Sequence, residues 1–116
     1  MAQTERERKT QRKTMDVIEE YGGYVYKNAQ SMYTEVGRPD LTACVPTTLA
    51  RLEKLFGANA KVGIFLGIEM KRPRKVENAS DAQKIVGRKI MKSGGLFFVV
   101  DDPEIIEALM VRLTED

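Results

Sequence analysis

Ile64-Phe65-Leu66-Gly67-Ile68-Glu69-Met70-Lys71 decides the fold. Ile64, Leu66, Ile68 and Met70 alternate with Phe65, Gly67, Glu69 and Lys71, which is the period of a β-strand with one apolar, core-directed face. Glu69 and Lys71 then leave the opposite face together. A carboxylate on an otherwise apolar strand is costly unless a cation satisfies it, and Lys71 supplies only part of that compensation. A divalent metal would supply the rest. Taken alone, Glu-x-Lys on a strand is more often a solvated ion pair worth less than about 1 kcal/mol, so the neighbouring sequence has to decide.

Upstream, Asp40 follows Gly37-Arg38-Pro39. Pro39 fixes its own φ and pushes Arg38 toward extended geometry, which sets the Asp40 carboxylate at the start of a strand running from Leu41 to Val45 and stopped by Pro46. Leu49, Leu52, Leu55 and Phe56 recur at helical spacing and predict an inserted helix within residues 46–57, with Gly57 as its C-terminal cap. Farther back, Thr10, Thr14, Val17, Ile18 and Tyr21 give a modest apolar face to a helix from Glu5 to Tyr21, after a disordered start at residues 1–4. Gly22-Gly23 ends that helix, Tyr24 to Lys27 reads as a strand, and Asn28, Gln30 and Ser31 as a polar loop.

Downstream, Arg72-Pro73-Arg74 terminates the central strand, and Ser80-Asp81-Ala82-Gln83 has the form of a capping box. The helix it opens runs to about Ser93 and is expected to bury Ala82, Ile85, Val86, Ile90 and Met91. Lys84, Arg88 and Lys92 form a cationic stripe along it. Gly94-Gly95 closes it. Leu96 to Val100 has no polar residue and reads as a strand covered on both faces, and Asp102-Pro103 starts a last helix carrying Ile105, Ile106, Leu109, Met110 and Leu113. This order predicts one α/β domain over residues 1–116, with a mixed central sheet flanked by helices.

Composition narrows the chemistry. The chain has 116 residues, 42% hydrophobic and 31% charged, as expected of an ordinary soluble globular domain. It has one cysteine and no histidine, which excludes an intrachain disulfide, a Cys/His zinc site and any mechanism needing a histidine base. Cys44 reads as a small buried hydrophobe. The absence of a long apolar run and the charged N-terminus predict a cytoplasmic protein with no membrane contact, and no Gly-rich loop for a nucleotide cofactor is present. The net charge is only +2. Even so, Lys71, Arg72, Arg74, Lys75, Lys84, Arg88, Lys89 and Lys92 face only Glu77 and Asp81 between residues 71 and 92, while the acids gather at the C-terminal end. Such a zone suits a polyanionic substrate.

The ordered set Glu7 and Gln11 on a first helix, Gly37-Arg38-Pro39-Asp40, Ile68-Glu69-Met70-Lys71, and a helix with an early Gln83 resembles the PD-(D/E)xK nuclease superfamily. In detail it is similar to the stand-alone VRR-NUC nucleases, and the likeness extends over nearly the whole chain. The long segment between Asp40 and Glu69, which holds the inserted helix, departs from the family's tight strand connection. The resemblance implies a restriction-endonuclease-like core and metal-dependent DNA cleavage. It also implies Mg²⁺ or Mn²⁺ held by Asp40, Glu69 and the Met70 carbonyl, with Lys71, Gln83 and Glu7 completing the catalytic set, and a homodimer acting on branched DNA such as four-way junctions. Hard oxygen donors suit those cations independently of the family.

Each candidate has a plainer explanation. Lys71 can simply pair with Glu69, Gln83 can serve only the capping box, and either Glu7 or Glu5 can be an exposed helical glutamate. Arg38, Arg72, Arg74, Lys75, Lys84, Arg88 and Lys92 are the expected backbone contacts to DNA, which read no sequence. Two alternatives stay open: a non-catalytic nucleic-acid-binding module, and a flap- or sequence-specific nuclease of the same superfamily.

Overall fold

The computed structural model describes residues 4–29, 36–72 and 79–114. Eight elements follow one another: α1 (Glu5–Glu20), β1 (Tyr24–Lys27), β2 (Leu41–Cys44), α2 (Leu49–Phe56), β3 (Leu66–Met70), α3 (Asp81–Lys92), β4 (Leu96–Val100) and α4 (Glu104–Thr114). The α/β class and the order of elements agree with the reading above. The single mixed sheet does not appear among the described residues. Instead β1 and β2 pair antiparallel, from Tyr24↔Cys44 to Lys27↔Leu41. β3 and β4 pair parallel, from Leu66↔Leu96 to Met70↔Val100. The two pairs are short and meet at one end through side chains, where Tyr24 and Phe65 stack edge-on with ring centroids 6.5 Å apart.

Two helices end in the same way, for the same reason. Gly22 and Gly94 adopt φ of 86° and 90°, the left-handed conformation that glycine reaches without a Cβ penalty. Each lets the following residue turn back, so that Gly23 N donates to Ile18 O at 2.9 Å and Gly95 N to Ile90 O at 3.0 Å. Between these ends sits Ser93, which is buried. Its hydroxyl donates to Gly22 O at 3.1 Å, and its carbonyl accepts from the Cys44 thiol at 3.4 Å. One serine thus joins the ends of α1, β2 and α3 and satisfies groups that burial would otherwise orphan.

The face of β3 that carries the glycine, not the aliphatic one, lies under a helix. In a parallel pair, residues in register share a side, so Gly67 and Phe97 point together. A Cβ on Gly67 would stand 2.7 Å from Ile90 Cδ1, and one on Gly87 would stand 2.5 Å from Phe97 Cδ2. The Phe97 ring therefore fills the space that two glycines leave between α3 and the strands. Consequently α3 buries Gly87 and Ile90, whereas Ala82, Ile85, Val86 and Met91, expected inside, are exposed. The expected core face is largely the open one: Leu66 is half-buried, but Ile64, just before β3, and Ile68 and Met70 on it are 49%, 42% and 63% exposed. Alternation reveals that a strand has two faces, but packing partners determine which one is covered.

The first helix shows a smaller correction. Thr4, expected in a disordered start, belongs to it: its side chain accepts from Glu7 N at 3.1 Å and caps α1. Residues 1–3 lie outside the described residues. Gln11, Met15 and Ile18 are the partly buried positions. Val17 and Tyr21 are exposed, and the Thr10 and Thr14 hydroxyls bond back to Arg6 O and Thr10 O. The inserted helix is present as α2, capped by Thr48 and ended at Gly57, but Leu49, Leu55 and Phe56 remain largely exposed. β4 is half-buried along its length and fully covered only at Val100.

Candidate active site

Glu69 and Lys71 rise from the end of β3 toward the first turn of α3 because α3 packs over the Gly67 face. There Gln83 meets both. Lys71 Nζ donates to Gln83 Oε1 at 3.0 Å, and Gln83 Nε2 donates to Glu69 Oε1 at 2.6 Å. The direct ion pair between Lys71 Nζ and Glu69 Oε1 is longer, 3.8 Å. Gln83 Oε1 also accepts from Ser80 N at 2.8 Å, while Ser80 Oγ accepts from Gln83 N at 3.1 Å. Both capping-box bonds are therefore present, and the carboxamide still reaches the strand. Its orientation follows from chemistry: an oxygen must face the ammonium and the N–H, and a nitrogen must face the carboxylate.

This triangle is half-buried, with Lys71 and Glu69 side chains 19% and 32% exposed. A partly buried carboxylate loses water and needs donors in its place, and Gln83 supplies the nearest one. Among the described residues, both contacts to Glu69 fall on Oε1.

A second cluster forms where α1 passes the start of β2. Glu7, Gln11 and Asp40 share an open cavity of about 390 Å³ with Arg6, Thr10, Thr14 and Leu41. Glu7 lines this cavity and Glu5 does not. Asn28, read from the sequence as part of a polar loop, is instead buried beside Asp40. Its backbone N donates to Asp40 O at 2.8 Å, and its Nδ2 donates to Pro39 O and to Thr42 Oγ1, each at 2.8 Å. In the sequence Asn28 is marked only by its place directly after the Tyr24 to Lys27 strand, which does not set it apart from a loop asparagine.

The two clusters occupy equivalent places on their strands. Tyr24 of β1 and Phe65, whose carbonyl extends the β3 ladder to Leu96 N, mark the junction of the pairs. Asn28 and Glu69 each stand four residues beyond it. Among the described residues, no group of three or more His, Cys, Asp or Glu is placed to hold a metal ion. Glu7 and Asp40 line one cavity, and Glu69 is not among its lining residues. Met70 is exposed. Arg38, Arg72, Lys84, Arg88 and Lys92 are likewise all exposed, whereas Arg74 and Lys75 lie outside the described residues.

Comparison with family models, with curated proteins and with solved structures finds no match for this chain. Its geometry must therefore carry the functional reading.

Among the described residues, no helix is long and apolar enough to cross a membrane. Cys44 is buried as expected, and burial pushes its thiol up from the ordinary value, partly offset by the Gly95 N–H. Its placement against Ser93 makes it a packing residue.

Proposed function

We propose that this protein is a metal-dependent, structure-selective DNA endonuclease of the PD-(D/E)xK type, hydrolysing phosphodiester bonds in branched DNA such as four-way junctions. The observation that carries the reading is the Glu69–Gln83–Lys71 triangle. A surface ion pair needs no third residue to hold it, whereas here a strand carboxylate and a strand lysine converge on one carboxamide fixed at a helix start.

The donor chemistry fits a hard cation. Asp40, Glu69 and the Met70 carbonyl are oxygen donors of the kind Mg²⁺ and Mn²⁺ prefer. Among the described residues, both contacts to Glu69 use Oε1, so its other oxygen is the one offered to a metal. When bound, such a metal supplies charge neutralisation at phosphorus and a water that deprotonates near neutral pH.

The chain's own residues do the rest. Lys71 carries three donors and gives one to Gln83 Oε1. Those remaining can orient the attacking water or meet a non-bridging phosphate oxygen as its charge grows. Gln83 holds Glu69 and Lys71 at fixed separation. Glu7 and Gln11 border the Asp40 side of the site, from α1. Arg38, Arg72 and the stripe Lys84, Arg88 and Lys92 grip the DNA backbone, with Arg74 and Lys75 beside them in sequence.

A homodimer suits the proposed substrate, because a four-way junction presents two equivalent strands related by two-fold symmetry and needs two cuts. The open apolar face of Ile64, Ile68 and Met70 is surface that association would bury.

The second reading, a nucleic-acid-binding module without catalysis, is favoured by the lack, among the described residues, of three or more His, Cys, Asp or Glu grouped to hold a metal ion. One experiment decides between them: flap, splayed and four-way junction DNAs incubated with the protein and Mg²⁺ or Mn²⁺. Cleavage that Asp40→Ala and Glu69→Ala each abolish while DNA binding persists is expected. Binding without cleavage under either metal would select the module.

A further inference from the structure

We propose that Asn28 is the positioning residue of Asp40, an assignment that rests on the reading of Asp40 as a metal-holding carboxylate. Asp40 sits where β2 begins, just after a turn through Gly37, and is itself exposed. An exposed residue at a strand start would ordinarily fray. Here the backbone is held on both sides of it. Asn28 N bonds Asp40 O and so prolongs the β1–β2 ladder by one rung, Nδ2 holds the carbonyl of Pro39 just before, and the same nitrogen holds the Thr42 hydroxyl just after.

The chemistry leaves little choice of residue. Pro39 O can only accept, so the group facing it must donate, and no aspartate or apolar side chain can do so. The site is 5% exposed, so water does not readily replace a lost donor. Ladder bonds alone would set the path of β2 but not the carbonyl plane before Asp40. The carboxamide sets that plane, and with it the direction in which the Asp40 side chain leaves the chain.

Among the described residues, Asn28 bonds Asp40, Pro39 and Thr42 and shares no hydrogen bond or ion pair with Glu69 or Lys71, so its effect must run through Asp40. The test uses the full chain with Asn28→Ala, Asn28→Asp and the milder Thr42→Val, which removes one acceptor and leaves Asn28 in place. Thr48→Ala, which removes the α2 cap away from both clusters, serves as the stability control. Two readouts are taken: single-turnover cleavage against Mg²⁺ concentration at saturating DNA, and Mn²⁺-induced broadening of the Asp40 amide signal by NMR, which needs no activity.

Expected for Asn28→Ala are a cleavage rate reduced about tenfold or more, DNA affinity within twofold, and several-fold more Mn²⁺ for half-broadening of the Asp40 signal. Asn28→Asp should be at least as impaired, and Thr42→Val intermediate, while Thr48→Ala keeps wild-type values for both readouts at its folded fraction. Should the Asn28 variants lose cleavage only in proportion to unfolding, or broaden at wild-type Mn²⁺ concentrations, the proposal is overturned and the nuclease reading survives. If the wild type cleaves nothing yet broadens in an Asn28-dependent way, the nuclease reading fails and Asn28 remains the positioning residue. Absence of broadening at Asp40 in the wild type rejects this assignment outright.

Discussion

Gln83 Nε2 lies 2.6 Å from Glu69 Oε1, and the same carboxamide closes the N-terminus of α3 through Ser80. The two duties separate by mutation. Ser80→Ala removes the cap alone and should cost about 0.5–2 kcal/mol of stability with the cleavage rate of the folded fraction retained. Gln83→Ala should cost a comparable amount of stability and also lower the single-turnover rate by on the order of 10-fold or more. Equal activity in the two variants would reduce Gln83 to a cap.

Lys71→Ala should slow cleavage on the order of 10²-fold, the scale of losing a positioned proton-transfer or charge-stabilising group. Lys71→Arg should not restore it, because a planar guanidinium cannot reproduce the compact ammonium between Gln83 Oε1 and Glu69 Oε1. Wild-type rates in Lys71→Ala would leave a structural ion pair and nothing more.

Reversing Lys84, Arg88 and Lys92 together should weaken DNA binding about equally for all sequences. It should also flatten the slope of log affinity against log salt by roughly one unit per lost phosphate contact. All three are exposed on α3 beside the buried Gly87–Ile90 face. An unchanged salt slope would show that this face points away from the substrate.

Gly87→Ala should destabilise by about 1–3 kcal/mol, since its Cβ would stand 2.5 Å from the Phe97 ring. Thermal unfolding of Gly87→Ala, Phe97→Leu and the double variant checks it. The double variant should lose less than the sum of the singles, because the smaller side chain vacates the space the alanine needs. Strict additivity would contradict this packing.

Cys44 should react slowly with iodoacetamide in the folded protein at neutral pH and rapidly once unfolded, since burial both blocks the thiol and raises its pKa. Tyr24 is shifted in the same direction, by burial first and Tyr26 second. For both groups the folded state holds its proton more tightly than the unfolded chain. Their contribution is therefore intact at neutral pH and is lost as pH rises through the folded-state values, so stability should fall in the alkaline range. Rapid labelling of the native protein would contradict the burial of Cys44.

Much of the site can be read from local sequence. The capping box places Gln83 at the third position of α3, and alternation puts Glu69 and Lys71 on one side of β3, because a turn or a strand period is settled by neighbours within four residues. The junction between them cannot be read that way. Asn28 looks like any loop asparagine until Pro39 and Thr42 are brought to it, and Ser93 looks like a helix end until Gly22 and Cys44 arrive.

The same division explains the inverted face of β3. The Ser80 capping box, strand periods, glycine stops and the stripe of lysine and arginine on α3 are local matters, determined by backbone sterics and hydrogen bonding along the chain, and they stand in the structure as read. Which side of a two-faced strand is covered depends on volumes contributed from elsewhere. Gly67 and Gly87 carry no side chain, so Phe97 can lie between them and α3 can approach that side, leaving Ile68 and Met70 open. Hydrophobicity pulls every apolar residue inward alike, and close packing of distant segments selects the ones that arrive there.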